Sequence, residues 1–495
     1  LNKIKRTYLD CKISNIYNTL SELKIISKLN FDQTTVIKFL FLNDIDIIDS
    51  NPVNCYASKY DKIKIENPEA LFLINIQKII NQLIKWYTFL PNVDPYYAVK
   101  CNPDPIIIKL LTILGLSFDC ASIREINQVV SEINLNKKID QQIDQQIDQQ
   151  IDQQIDQQID QQIDQQIDQQ IDTRRIIYAN PCKIISHLIE SKKLNVKMMT
   201  LDCVEELHKI HKYFPDAEVI IRLAVDDSKS VCKFSSKFGC NLEDAKQIID
   251  LAQSLKMNII GVSFHVGSGC KSIKSYKTAI EMSSEVFKYG LEKSQSMYLL
   301  DVGGGFPGTE IDTNTNTNTN KDVSFEQIAL SINESINKYF ADIKLKVIAE
   351  PGRFIVSSSH SLLVNIIGKK KKLLLNGSNN EECFSYYIND GVYGSFNCIY
   401  FDHFLPKLNL VNNYKNDTKL YKSLIFGPTC DSMDVLFKVE SYDDFEKKMG
   451  DNLLPELQLG DQLYINNFGA YTISAGCEFN GIPRPRKIYL WSDHK

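Results

Sequence analysis

An alternation restricts the fold of this chain more than any other feature. Between Leu71 and Glu350, short apolar runs are separated by longer stretches whose apolar residues recur at helical spacing. Runs at 71–75, 96–100, 116–120, 175–179, 197–201, 218–224, 258–264, 297–301 and 345–349 read as strands. Segments such as 76–89, 103–114, 122–133, 241–256, 274–291 and 324–339 read as helices between them. Successive strand–helix–strand units pair in parallel, and about eight of them in ~250 residues close into a (β/α)8 barrel of the TIM type. After Arg353 the pattern changes. Runs at 354–367, 384–389, 461–466 and 486–491 are strand-like and divided by turn-rich segments. The expected fold is therefore α/β plus β. A barrel is expected over 71–353, and a second, mostly antiparallel β-sheet or β-barrel domain over 354–495. Residues 1–70 are expected to join that second domain in part.

Two low-complexity segments interrupt the barrel, an insert at 139–172 and a loop at 309–322. The insert repeats Ile-Asp-Gln-Gln. Its period of four exceeds the 3.6 residues of a helical turn, so its isoleucines would drift around a helix instead of forming a stripe. Its nine aspartates are balanced by no basic residue, which opposes collapse and predicts disorder. Because it joins a helix end to a strand start, it is expected on the bottom face of the barrel, away from chemistry. The Asn-Thr run at 313–320 follows a strand end and is expected beside the catalytic face.

The repeat also distorts the charge balance. The chain carries −5 overall but +4 without those aspartates, so nucleic-acid binding has no charge footprint. Thirteen cysteines sit singly, with no CxxC pair or metal-ligand spacing, which predicts reduced thiols, a cytoplasmic setting and no metal site. No apolar stretch nears the roughly 20 residues of a membrane span, and no signal peptide is expected.

Residues directly after barrel strands face the catalytic end. In order these are Lys100, Asp119, Arg222, His265, Gly303-Gly304-Gly305 and Glu350-Pro351-Gly352-Arg353. Lys100 closes the run Tyr96-Tyr97-Ala98-Val99, and alone it is explained by a strand reaching the surface. Burial would lower its pKa and free the amine to attack a carbonyl. The glycines offer backbone N–H groups to an anion, and Arg353 adds a guanidinium suited to phosphate. A tight turn explains a triple glycine equally well. Glu350 is more specific, because a buried carboxylate near a phosphate needs a cation opposite it.

Pyridoxal 5′-phosphate satisfies the whole set. Lys100 would take its aldehyde, Gly303, Gly304, Gly305 and Arg353 its phosphate, and Glu350 its ring nitrogen. His265, within Ser263-Phe264-His265-Val266-Gly267-Ser268-Gly269, would stack on the ring, with Ser268 near the phosphate.

These motifs resemble a known family. Tyr97-Ala98-Val99-Lys100-Cys101-Asn102, Phe118-Asp119-Cys120-Ala121-Ser122 and Tyr178-Ala179-Asn180-Pro181-Cys182-Lys183 resemble eukaryotic ornithine decarboxylases. So do 263–269, 301–308, 350–353 and 389–398, together with Gly427-Pro428-Thr429-Cys430-Asp431 and Gly469-Ala470-Tyr471-Thr472. The resemblance runs from about residue 40 to 490, outside the low-complexity segments. Its barrel motifs occur throughout the fold type, whereas the Cys430-Asp431 pair is specific to the ornithine enzymes.

The resemblance implies a lyase that converts L-ornithine to putrescine and carbon dioxide, the first step of polyamine biosynthesis. It implies a homodimer with shared sites, in which Cys430 and Asp431 enter the partner's site. The catalytic roles fall to Lys100, His265, Glu350 and Cys430, with Cys430 protonating the α-carbon. Asp402 and Asp431 would hold the distal ammonium. Phe401 would stand by the substrate tail or dimer contact, where the family usually has tyrosine, and Tyr471 would add a phosphate contact. Asp119 and Arg222 match polar positions around the cofactor, and Glu125 and Lys237 match supporting ones. An antizyme-like inhibitory protein is the further partner implied.

Two alternatives stay open. A related decarboxylase for lysine or arginine would share the lysine and glycine motifs. One methylene separates lysine from ornithine, worth only ~10–200-fold in discrimination. An inactive regulator resembling antizyme inhibitors would keep the fold without needing Lys100, His265, Glu350, Arg353 and Cys430 together.

Overall fold

The computed structural model describes residues 46–47, 53, 69–135, 173–232, 235–308, 323–376, 379–411, 418–436 and 452–492. The Ile-Asp-Gln-Gln repeat and the Asn-Thr run lie outside the described residues. Two strands precede the barrel, β1 (Asp46–Ile47) and β2 (Leu71–Asn75). The barrel itself is β3 (Val93–Ala98), β4 (Ser117–Cys120), β5 (Ile176–Tyr178), β6 (Met198–Leu201), β7 (Glu218–Leu223), β8 (Asn258–Phe264), β9 (Leu299–Asp301) and β10 (Lys346–Ala349). All eight pair in parallel, and β10 closes against β3. Tyr96, Ile177, Met198, Ile220, Ile260, Leu299 and Ile348 pack together in its interior, making it a filled core with a chemical face only at its ends.

The helices are α1 (Ile76–Phe89), α2 (Pro105–Ile113), α3 (123–135), α4 (Ile185–Lys193), α5 (Val204–Tyr213), α6 (Leu242–Leu255), α7 (Ile273–Glu292) and α8 (Phe325–Tyr339). Local chemistry starts them. The Asp104 carboxylate accepts the N–H groups of Ile106 and Ile107 ahead of α2, where Pro105 takes a position whose N–H needs no partner. Ser324 and Gln327 cap α8 reciprocally. Helix α4 has no apolar stripe, since only Leu188 and Ser191 are buried. It is therefore invisible to periodicity.

The second domain contains β11 (His360–Asn376), β12 (Asn379–Ile388), β13 (Asn409–Leu410), β14 (Leu420–Phe426), β15 (Asn452–Pro455), β16 (Gln462–Asn466) and β17 (Arg486–Trp491). The order along the sheet is β1-β17-β2-β11-β12-β14-β15, with β16 on β11 and β13 on β16. The expected N-terminal contribution is present, because Asp46–Ile47 pair with Leu490–Trp491.

Two expectations need correction. Leu71–Asn75 is not a barrel strand, since it pairs with β11 and β17. All five residues are buried, as in a barrel strand, so the local pattern cannot tell the two apart. The run at 354–367 is not one strand. It begins as a short helix, α9 (Arg353–Val356), continues as a tight turn, and extends only from His360. Phe354, Ile355 and Val356 are buried in either conformation, so their hydrophobicity does not distinguish them.

Candidate active site

Strand β3 ends at Ala98, and the chain tightens into a 3-10 turn, Val99–Cys101, that carries Lys100. Lys100 thus sits on a turn, not on the strand. The Ala98 N–H donates to Pro351 O at 3.2 Å, joining this turn to the segment after β10. A side chain at Gly352 would meet Cys101 Cβ at 2.7 Å, so glycine permits that close approach.

Lys100 Nζ lies 2.6 Å from Oδ2 of Asp119, which is fully buried at the end of β4. The other oxygen of Asp119 has no hydrogen-bond partner among the described residues. Burial alone pulls the Lys100 pKa down, but Asp119 and then Glu350 outweigh it and raise the value. The expected lowering is therefore reversed, because carboxylates at contact distance stabilise the ammonium more than desolvation penalises it.

Glu350 follows β10, and its N–H donates to Gly303 O at 2.7 Å. Burial, then Asp119 and Asp301, push its carboxyl well above the usual range. Asp301, at the end of β9, accepts the Gly303 N–H at 2.8 Å on Oδ1 and shares a side-chain hydrogen bond with Glu350. Burial carries Asp301 up to about 7. His265 follows β8, and its Nδ1 accepts the Gly267 N–H at 3.0 Å. Burial, Arg222 and Lys100 hold its pKa well below the ordinary value, so the ring is neutral.

The glycine loop is narrow. Gly303 has φ +63°, and a Cβ there would lie 2.0 Å from Phe264 O. At Gly304 a Cβ would meet His265 Nε2 at 2.7 Å and Glu350 O at 2.9 Å. Only glycine leaves this floor open.

Arg353 opens α9. Its Nη2 donates to Ser268 Oγ at 3.0 Å and to Asp402 Oδ1 at 2.5 Å, and its guanidinium lies 5.1 Å from the Tyr471 ring centre. Asp402, buried after α10 (Cys398–Phe401), thus faces Arg353 with one oxygen while Oδ2 has no hydrogen-bond partner among the described residues. Arg222 lies over the Phe238 ring, and exposed Lys237 sits over the same ring. Beside Lys100 opens a cavity of about 920 Å³ whose lining includes Asp104, Glu125, Tyr471, Arg484 and Lys487. Glu125 is fixed there by the Ala121 N–H at 2.5 Å.

Cys430, Asp431 and Phe401 do not line that cavity. Cys430 is exposed, and its N–H donates to Asn480 Oδ1 at 3.0 Å. Asp431 accepts the Met433 N–H at 2.9 Å and the Tyr393 hydroxyl, which hold its carboxyl below the usual range. Tyr393 stacks on Phe479 with ring centres 4.4 Å apart. Phe401 is 71% exposed.

Comparison with known proteins agrees with this geometry. The family described as "Pyridoxal-dependent decarboxylase, pyridoxal binding domain" matches residues 76–357. The chain belongs to this family. An ornithine decarboxylase from Mus pahari is 39% identical over 454 residues, covering 90% of this chain and 84% of that protein. Antizyme inhibitor 2 from Xenopus laevis is 39% identical over 421 residues, covering 84% and 80%. Among solved structures, the lysine/ornithine decarboxylase from Vibrio vulnificus complexed with cadaverine has a TM-score of 0.68. It is 26% identical, with coverage of 90% of this chain and 98% of that one.

Pyridoxal 5′-phosphate is the cofactor of this decarboxylase, and the residues fit it. Lys100 offers the amine, the glycine floor with Ser268 and Arg353 suits a phosphate, and a neutral, half-buried His265 suits an aromatic face. Glu350, buried beside Asp301, offers an acid whose proton is already favoured. Sequence reasoning missed Asp301 and Tyr393 as functional groups. Both stand inside quoted motifs, Asp301 directly ahead of the glycines, so position within a motif was the available signal.

Proposed function

We propose that this decarboxylase acts on L-ornithine, releasing carbon dioxide and leaving putrescine. The observation that carries the choice of substrate is Asp402, buried beside Arg353 with one oxygen unpaired among the described residues, to which Asp431 on the Cys430 turn would add a second acid. Carboxylates suit the distal ammonium of ornithine and repel a second carboxylate such as that of diaminopimelate. The relative from Mus pahari, named ornithine decarboxylase, supports the same reading.

Pyridoxal phosphate supplies an aldehyde for the amine and a protonated ring that accepts the electrons left when carbon dioxide departs. Lys100 holds the aldehyde end, and Asp119 orients its Nζ. Glu350 would face the ring nitrogen and hold a proton there, the cationic ring offsetting the burial and the Asp119 and Asp301 charges that disfavour its carboxylate. His265 covers the ring without adding charge. Arg353, Ser268, Tyr471 and the N–H groups of Gly304 and Gly305 would hold the phosphate, over a turn that the Gly303 N–H fixes by donating to Asp301. Arg222 supports the ring end through its field on Glu350 and His265.

Cys430 donates the proton to the α-carbon from a second copy of the chain. The exposure of Cys430 and Phe401 on the surface of one chain supports a homodimer with shared sites. A cytoplasmic setting is supported by the scattered spacing of the thirteen cysteines, which suits reduced thiols. The likeness to antizyme inhibitor 2 supports an antizyme-like inhibitory protein as a further partner. That likeness also raises the reading of an inactive regulator. The joint presence of Lys100, His265, Glu350, Arg353 and Cys430 favours the enzyme.

Product identification tests the proposal. Incubation with pyridoxal phosphate and equal ornithine, lysine and arginine should yield mainly putrescine. A predominance of cadaverine or agmatine, or no diamine at all, overturns it.

A further inference from the structure

We infer that His360 is a positioning residue for Lys100, acting across the domain boundary through the buried amide of Asn102. The inference rests on the reading that Lys100 takes the cofactor aldehyde. His360 is the first residue of β11 and has no exposed surface, yet the chemistry above does not use it. Asn102 follows the Lys100 turn and is equally buried.

Their hydrogen bonds form a closed set. Asn102 Nδ2 lies 3.1 Å from His360 Nε2 and donates to Gly469 O at 2.9 Å. Asn102 Oδ1 accepts the Asp104 N–H at 3.2 Å, which fixes the amide's orientation. Nε2 must then accept, so the ring proton sits on Nδ1 and points to Ser359 Oγ at 2.8 Å. The Ser359 hydroxyl donates onward to Val356 O at 2.7 Å. Asn102 Nδ2 thus serves both His360 and Gly469, and Ser359 Oγ both accepts from the ring and donates to Val356.

The same knot gathers three turns that bear site residues. The Tyr97 hydroxyl donates to Asn102 O at 2.8 Å, and the Tyr471 N–H donates to Cys101 O at 3.0 Å. The Phe468 N–H donates to His360 O at 3.1 Å, and the Gly469 N–H to Ser357 O at 3.2 Å. Gly469 packs so tightly that a Cβ would lie 2.6 Å from His360 Nδ1. The turns of Lys100, Arg353 and Tyr471 therefore share one buried anchor. A second proton on His360 would set two donors against each other at Nε2 and Asn102 Nδ2. Burial lowers the imidazole pKa to about 4, with Asp104 raising it and Lys487 lowering it, so the accepting form prevails.

The test uses His360→Phe, which keeps a flat ring against Phe72, and His360→Gln, whose amide can both accept from Asn102 and donate to Ser359. The cofactor-free proteins are first compared by thermal midpoint, then mixed with pyridoxal phosphate. The readouts are the rate at which the visible band appears and the borohydride-fixed label on the Lys100 peptide.

In a folded His360→Phe protein, band formation should slow about tenfold, the scale of one buried hydrogen bond. His360→Gln should recover to within about threefold of wild type, and kcat should fall with KM changed less than about twofold. Asn102→Ala should slow the band similarly, and the double variant should be no slower than Asn102→Ala alone. Equal rates in His360→Phe and wild type, multiplicative effects in the double variant, or no recovery in His360→Gln overturn the inference. A wild-type protein without label at Lys100 overturns the underlying reading, and this inference with it.

Discussion

Lys100 and Asp119 form an ion pair of 2.6 Å in which the carboxylate is fully buried and keeps one oxygen without a hydrogen-bond partner among the described residues. An anion so placed both holds the ammonium in position and opposes its loss of a proton. Asp119→Asn removes that charge while leaving Glu350, so the Lys100 pKa should fall toward the value that burial alone dictates. The pH profile for capture of pyridoxal phosphate, followed by visible absorption, should shift down by about one unit or more. A profile superimposable on wild type would show that Asp119 does not control the amine.

Asp301 and Glu350 predict a pH-dependent stability. Burial, with Asp119 adding to it, raises both carboxyls above their unfolded values; Asp301 raises Glu350 further, while the Gly303 N–H and a hydrogen bond with Glu350 hold Asp301 down and Arg222 lowers both. The folded chain thus binds more protons than the unfolded chain in the window between the ordinary carboxyl range and about 7. Stability from this pair is fully present below the unfolded pKa values and is lost as pH rises through that window. Asp301→Asn removes one titration and one cause of the other. In cofactor-free protein, its melting temperature relative to wild type should climb by roughly 3 °C or more between about pH 5 and about pH 7.5. The titration of His360 is common to both proteins and cancels. A constant difference would mean that the two carboxyls are not coupled as described.

Lys100→Ala and Cys430→Ala should each be inactive as pure proteins. Mixed in equal amounts and allowed to exchange subunits, they should recover up to about a quarter of wild-type activity. Half of the two-fold dimers would then be hybrids carrying one intact site. Exchange demonstrated by mass spectrometry without recovered activity would refute a site completed by a second copy.

Deletion of residues 139–172 should leave kcat and KM within about twofold of wild type. The segment is flanked by the end of α3 and the start of β5, which lie at the bottom of the barrel, opposite Lys100. A large fall in kcat would contradict that separation.

The legibility of this chain varies with the range of the forces involved. The barrel strands β3 to β10 were readable because an apolar run and its helix are local signals. Helix α4 was not, because it buries so little apolar surface. The site was readable as a set of residue types after strands, including Lys100, His265, Glu350 and Arg353. Asp402 was read as a partner for an ammonium, whereas one of its oxygens faces Arg353. That pairing joins a barrel turn to the second domain, and sequence spacing does not encode such a contact.

The sequence by itself determined the order of barrel elements, the cofactor class and the chemical groups at the strand ends. Periodicity and position after a strand are properties of neighbouring residues. Only the tertiary structure decided that Leu71–Asn75 completes the second sheet, that Asp301 backs Glu350, and that Lys100 is held as an ammonium. Strand pairing and charge interaction depend on distances between residues far apart in the chain. At contact range those distances decide whether desolvation or Coulomb attraction prevails.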